Sequence, residues 1–197
     1  WARGNYAANA SLGYMAKDNS ATAKQCGLPM NAANPDNWKD RRLRGVMGAN
    51  ISCKDKDVRD GFSNTVLLAE VRAGVAPFDP RGVWALSGSS SSLWAHGYCG
   101  DCAGPNNITP SGGDDIISCT EVQRHVGGEA ALLKMDMPCS KENYPNIQQG
   151  VRSQHKGGAF VCMCDGSVRW INDTIEVSIN NPAVVSLWDR LMLSADG

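Results

Sequence analysis

Residues 155–171, HKGGAFVCMCDGSVRWI, hold two apolar runs that meet at Asp165-Gly166. An Asp-Gly pair between alternating runs is the strongest short-range hairpin signal, because a type I′ turn needs positive φ at both central residues. A two-residue loop sets Cys164 against Ser167, Met163 against Val168 and Val161 against Trp170. Val161, Met163, Val168 and Trp170 are then expected on the core face, with Cys162 and Cys164 on the other. An extended strand rises about 3.3 Å per residue, which sets His155 and Asp165 at opposite ends, of order 25 Å apart. They are not expected to share a metal or to act as an acid–base pair. Asp165 makes the turn with Gly166, His155 holds the entry to the strand, and Gly157-Gly158 bends the chain between them.

Eight cysteines narrow the setting: Cys26, Cys53, Cys99, Cys102, Cys119, Cys139, Cys162 and Cys164. An even count spread along the chain favours disulfides and an oxidising compartment, and all eight are candidates. Cys162 and Cys164, two apart on one strand, cannot bridge each other without strain, so each is expected to pair elsewhere. Zinc is the rival reading, since Cys99-Gly-Asp-Cys102 and Cys162-Met-Cys164 offer four thiolates. A zinc ribbon carries two C-x2-C knuckles, and only one is present. The stretch AGPNNITPSGG after Cys102 cannot open the helix that a thioredoxin-like motif requires.

At 197 residues one domain, 1–197, is expected. The 42% apolar and 20% charged composition reads as globular, and a net charge of -1 offers no basic surface for nucleic acid. Apolar runs such as TVLLAEV fall far short of the ~20 residues of a membrane span. The chain opens abruptly on WARGNYAANA, and a membrane is expected to be reached only through a segment preceding it.

Asp60-Gly61 marks a turn before Thr65–Leu68, which with Val71 reads as a buried strand; Ser63 or Asn64 capping a short helix is the alternative. RGVWALSG reads as a further strand. Residues 97–118 read as a long stapled loop, and residues 121–135 as a short helix. Near the end, Asn181 with Pro182 predicts a helix carrying Val184, Leu187, Trp188 and Leu191 on one face.

Few chemical constellations emerge. Asp55, Asp57 and Asp60 are weak calcium candidates: counted as an EF-hand from Asp55, positions 5, 6 and 12 fall on Arg59, Asp60 and Val66, and the pattern fails. A solvated turn is preferred, with a non-EF calcium loop as the alternative; Asp114-Asp115 is a weaker candidate. No G-x-S-x-G elbow is present, and His96, His125 and His155 stand in unrelated contexts, so no catalytic residues and no enzyme are expected. Glu70 ends an apolar strand, where its charge needs a partner; Arg72, Arg81 or Arg169 is expected to supply it. Trp170 and Trp188 read as core. Trp1, Trp38, Trp84 and Trp94 are left for a surface and, with the Asn- and Asp-rich loops, could hold sugars.

Three stretches together carry a resemblance: GNYAAN near the start, DGFSNTVLLAEVRAG with Asp60, Gly61, Asn64 and Glu70, and His155-x9-Asp165-Gly166. They resemble a prepilin-type, pseudopilin-like bacterial family of unknown function, and DPRGVWAL, SSLWAHG and WDRLMLSADG look like one subgroup of it. The resemblance implies an α+β, pilin-like antiparallel sheet with long stapled loops and a C-terminal helix. It implies an extracellular or envelope-anchored structural subunit that partners copies of itself or other pilin-like subunits. Its members begin with a prepilin leader and a long hydrophobic helix, so a longer precursor is expected here. No cofactor is implied, calcium in a loop aside. An extracellular module binding a glycan or calcium is the alternative.

Overall fold

The computed structural model describes residues 1–12, 44–48, 52–86, 93–96, 104–109, 113–140, 149–177 and 186–195. The architecture is α+β. Its main sheet is built from β1 (Tyr6–Leu12), β2 (Val66–Glu70), β3 (Leu93–His96), β6 (Gly158–Met163) and β7 (Val168–Asn172), in the order β3-β1-β2-β6-β7. The four strands β1, β2, β6 and β7 are antiparallel, and β3 joins β1 in parallel. A parallel pair of two-residue strands, β4 (Asp114–Asp115) and β5 (Cys139–Ser140), brackets helices α1 (Cys119–Val126) and α2 (Glu129–Lys134). Helix α3 (Leu187–Met192) follows the sheet.

Period-two alternation sends Ala7, Ala69, Ala159, Val161, Met163 and Ile171 to the inner face, where they pack with Val151, Trp188 and Met192. Burying side chains such as Val66, Val161 and Met163 completely stabilises by about 2 kcal/mol each. Asn9 is the polar exception on this face. Its amide donates to the Val66 and Met192 carbonyls at 2.8 Å each, tying β1 to β2 and to the end of α3.

The hairpin forms, but with a different register from the one expected. Phe160 faces Trp170 and Cys162 faces Val168. The Met163 N–H donates to Ser167 O at 2.8 Å and the Gly166 N–H to Met163 O at 3.0 Å, so the loop is Cys164-Asp165-Gly166, three residues long. Only Gly166 takes positive φ there, at 82°. The cause lies outside the hairpin. The amides of Cys164 and Asp165 donate to Thr65 O and Phe62 O, and so pin the loop to the Asp60–Thr65 turn. One extra loop residue moves every β7 side chain to the opposite face. Ile171 is therefore the buried residue, and Trp170 and Val168, expected in the core, point outward.

Three further expectations change. RGVWAL is not a strand in its described part: residues 80–86 form successive turns with a single bridge from Val83 to Arg3. The helix expected over 121–135 is two helices, broken at Gly127-Gly128, both at positive φ. Helix α3 starts at Leu187, capped by Ser186, whose hydroxyl accepts from the Asp189 N–H. It buries Trp188 and Met192, while Leu187 is exposed. Asn181, Pro182 and Val184 lie outside the described residues.

A second apolar cluster joins Ala76, Ile116, Val122, Leu132 and Met137 around the Cys119–Cys139 disulfide. The stapled segment is thus 119–139; of the loop expected over 97–118, residues 104–109 and 113–118 are described. Cys162 and Cys164, expected in bridges, carry thiols. The Cys53 Sγ lies 3.7 Å from the Lys54 carbonyl oxygen. Burial, then nearby Cys53, Cys162 and Asp165, push the Cys164 thiol up to about 11. Cys26, Cys99 and Cys102 lie outside the described residues, as does Trp38.

Candidate functional site

Three distant sequence stretches converge at the end of the sheet away from the hairpin tip. Tyr6 faces Glu70 across β1 and β2. The turn before β6 carries His155 to the same place, where its Nε2 lies 3.3 Å from Glu70 Oε1. The second carboxylate oxygen of Glu70 accepts from the Phe160 N–H at 2.8 Å, and the Tyr6 hydroxyl reaches Oε1 at 3.5 Å. Glu70 is thus held by His155 and a strand amide, and not by Arg72, Arg81 or Arg169. Burial, then the Glu70 charge and hydrogen bond, raise the Tyr6 pKa above its ordinary value.

His155 is also one member of an aromatic trio. Its ring meets Phe160 edge-on at 5.3 Å and Trp170 at 5.9 Å, and Phe160 meets Trp170 at 4.9 Å, with interplanar angles of 85°, 71° and 67°. Such geometry sets the positive ring edge against a negative face. Asp165, by contrast, lies past the far end of β6, a strand about 20 Å long by its residue rise. There its Oδ1 accepts from the Ser167 N–H and hydroxyl. Those two bonds, the hydroxyl first, lower its pKa. Asn64 Nδ2 donates to Asp60 O and Thr65 Oγ1 to Gly61 O, so Asp60, Gly61 and Asn64 build the turn that clasps the hairpin loop.

Beside His155 lies a cleft with two lobes. The smaller, about 300 Å³, is lined by Asn5, Glu70, Arg72 and Arg152; the larger, about 650 Å³, by Asn106, Lys134, Asp136, Lys156 and Asp173; Arg72, Ser153 and His155 line both. The floor is fixed by a tight polar mesh. Ser153 Oγ donates to Gly158 O at 2.7 Å and accepts from the His155 N–H at 3.1 Å. Asn106 accepts from the Ser153 N–H at 2.7 Å, and its amide donates to Gly158 O and Asp173 Oδ1. Arg72 reaches the Met135 carbonyl across the cleft. Burial, then Arg152 and Arg81, lower its pKa against the opposing pull of Asp136.

Behind this wall runs a buried ionic chain that the sequence reading missed. Arg81 Nη2 lies 2.7 Å from Asp79 Oδ2, Arg81 Nη1 2.9 Å from Asp114 Oδ2, and Arg152 Nη2 3.4 Å from Asp114 Oδ1. Burial favours a neutral Asp114, but Arg152, Arg81 and the Gly150 N–H together hold its pKa below the ordinary value. For Arg81, burial is likewise outweighed, by Asp79 and Asp114, and its pKa is raised. Asp-Pro-Arg-Gly was the available signal: an aspartate two residues before an arginine, rigidified by proline, and a glycine in the left-handed region.

Of the calcium candidates, Asp57, Asp114 and Asp115 have other partners. The Asp57 carboxylate accepts from the Lys54 N–H at 3.1 Å and lies 4.0 Å from Arg44. Asp114 belongs to the ionic chain, and Asp115 accepts from the Ser140 hydroxyl. Among the described residues no cluster of three or more His, Cys, Asp or Glu side chains is placed to hold a metal ion, and no helix is long and apolar enough to cross a membrane.

No curated protein matches the sequence, and no solved structure does. One family model, described as a protein of unknown function (DUF1559), matches residues 2–178 and so spans Tyr6, the Asp60–Glu70 stretch, the ionic chain and the His155 hairpin; the chain belongs to that family.

Proposed function

We propose that this protein is a structural subunit of the cell envelope or cell surface, of pseudopilin type, that acts by packing and assembly rather than by turnover. The observation that carries this reading is the outer face of the main sheet. Val168 is 67% exposed, Trp170 42% and Tyr6 41%, and half-buried Leu68, Phe160 and Cys162 lie between them. None of the described helices packs there: α3 belongs to the inner face, and α1 and α2 to the second cluster. A contiguous apolar patch of this kind marks a contact surface. In a pilin-type subunit an apolar N-terminal helix packs across one face of its own sheet and continues into the assembly. An aromatic and aliphatic strip with Glu70 and His155 at one end suits such a helix.

The test uses the full-length gene product in its native host. Wild type should form filaments or fractionate with the envelope as a multimer. Val168→Lys combined with Trp170→Lys should abolish assembly while leaving the soluble domain folded, since both side chains are outward. A strictly monomeric product with no envelope association would remove the basis of this reading.

A further inference from the structure

We propose that the two-lobed cleft beside His155 is a binding site for a small hydroxylated carboxylate, with an acidic sugar unit as the ligand class that fits. The larger lobe, about 650 Å³, is of the size of small-molecule sites. Its lining is polar: Gln154 and the Asp173 carboxylate offer donors and acceptors suited to hydroxyl groups, over a floor in which Asn106 and Ser153 are already engaged. The ionisable groups around it are unevenly matched. Glu70 is engaged by His155 and the Phe160 amide; Asp173 accepts from Asn106, a neutral donor that leaves its charge in place, and Asp136 is exposed in the larger lobe. Lys134 and Lys156, both exposed, have no carboxylate partner among the described residues, and Arg72 lies between the two lobes.

The larger lobe thus sets three cations, Arg72, Lys134 and Lys156, against two carboxylates, Asp136 and Asp173, and the excess lies on the exposed lysines, where a ligand carboxylate would sit. That floor is already rigid. Ser153, Asn106 and the Gly158 carbonyl hold one another, and the Asp173 N–H donates to Gly157 O at 3.0 Å. A site ordered before binding loses less entropy when the ligand arrives. The assembly strip meets the cleft at Glu70 and His155. Val168 and Trp170 do not line the cleft, however, and Lys134 and Lys156 lie outside the strip, so the two readings are tested on different residues and can fail independently.

Calorimetric titration of the whole chain with trigalacturonic acid, with neutral cellotriose and with sodium sulfate in parallel, tests the proposal. The acidic trimer should bind saturably, more weakly as salt screens the lysines, and the neutral trimer should not displace it. Lys134→Glu with Lys156→Glu should weaken binding by about tenfold, the range expected for reversing two exposed charge contacts. Arg169→Glu, an exposed charge on β7 outside the cleft, should leave binding unchanged. Urea midpoints equal to wild type would show that the variants are folded. Failure of the acidic trimer to bind, equal affinity for the neutral trimer, or undiminished binding by the double variant would overturn the site. Sulfate binding as tightly as the sugar acid would overturn the ligand class.

Discussion

Asp114→Asn is the sharpest probe of the architecture behind the cleft. Asp114 is 2% exposed and takes one hydrogen bond from Arg81 at 2.9 Å, one from the Gly150 N–H at 3.0 Å and a longer one from Arg152 at 3.4 Å. Asparagine keeps the shape and one acceptor. It turns the other oxygen into a donor facing a guanidinium, and it leaves Arg152 buried without its carboxylate. Breaking a buried ion pair from one side costs about 3–5 kcal/mol, and the preserved shape argues for the lower end, about 3 kcal/mol. With a urea slope of about 2 kcal/mol/M, the unfolding midpoint should fall by about 1.5 M. Glu129→Gln, an exposed change, should not move it. The pH dependence adds a second readout. Against burial, Arg152 and Arg81 depress the folded pKa of Asp114 below its ordinary value. Its stabilisation is therefore fully present above the unfolded pKa and is lost as pH falls through the depressed folded one. The gap between wild type and Asp114→Asn should hold from neutral pH to about pH 5 and close progressively below that. A midpoint unchanged at pH 7, or a gap that widens in acid, would refute the reasoning.

The remaining predictions concern the turns and the cysteines. Gly166→Ala should cost about 1 kcal/mol, because a Cβ there meets nothing within 4 Å and only the positive φ is strained. Gly82→Ala should cost clearly more in the same thermal melts, since its Cβ would also stand 2.5 Å from Gly4 O; equal costs would contradict the packing described. Cys119→Ser should destabilise by about 3 kcal/mol, as expected for a crosslink closing a loop of sequence separation 20, and urea unfolding reads this directly. Cys164 should alkylate with iodoacetamide at pH 8 about tenfold more slowly than a thiol of pKa 9.0, the net of a smaller thiolate fraction and a stronger nucleophile. Peptide mapping that finds it among the fastest sites would count against its buried setting.

Local chemistry made the elements legible. The Asp165-Gly166 pair announced a hairpin, Thr65–Leu68 a strand, and Asp60-Gly61 with Asn64 a turn, because each rests on conformations open to a few neighbouring residues. The α+β class followed from the family resemblance rather than from periodicity, and β1 carried too weak an alternation to be read at all. What lay beyond the sequence was each element's partner. The hairpin register turned on two carbonyls, Phe62 O and Thr65 O, a hundred residues upstream; they hold the loop open by one residue and carry Trp170 from the core to the surface. Glu70 visibly needed a partner, but three arginines were equally plausible in one dimension, and the fold chose His155 instead. The cleft had no motif of its own, because its walls come from Arg72, Asn106, Lys134 and the 153–157 turn, segments with no local signal in common. The ionic chain shows the same division: Asp79-Pro80-Arg81 is written locally, whereas its continuation to Asp114 and Arg152 exists only where folding excludes water and sets one carboxylate between two guanidinium groups. Sequence determines the backbone's local choices over a few residues; side-chain partnership is decided by which desolvated charges and apolar faces the closed chain brings together.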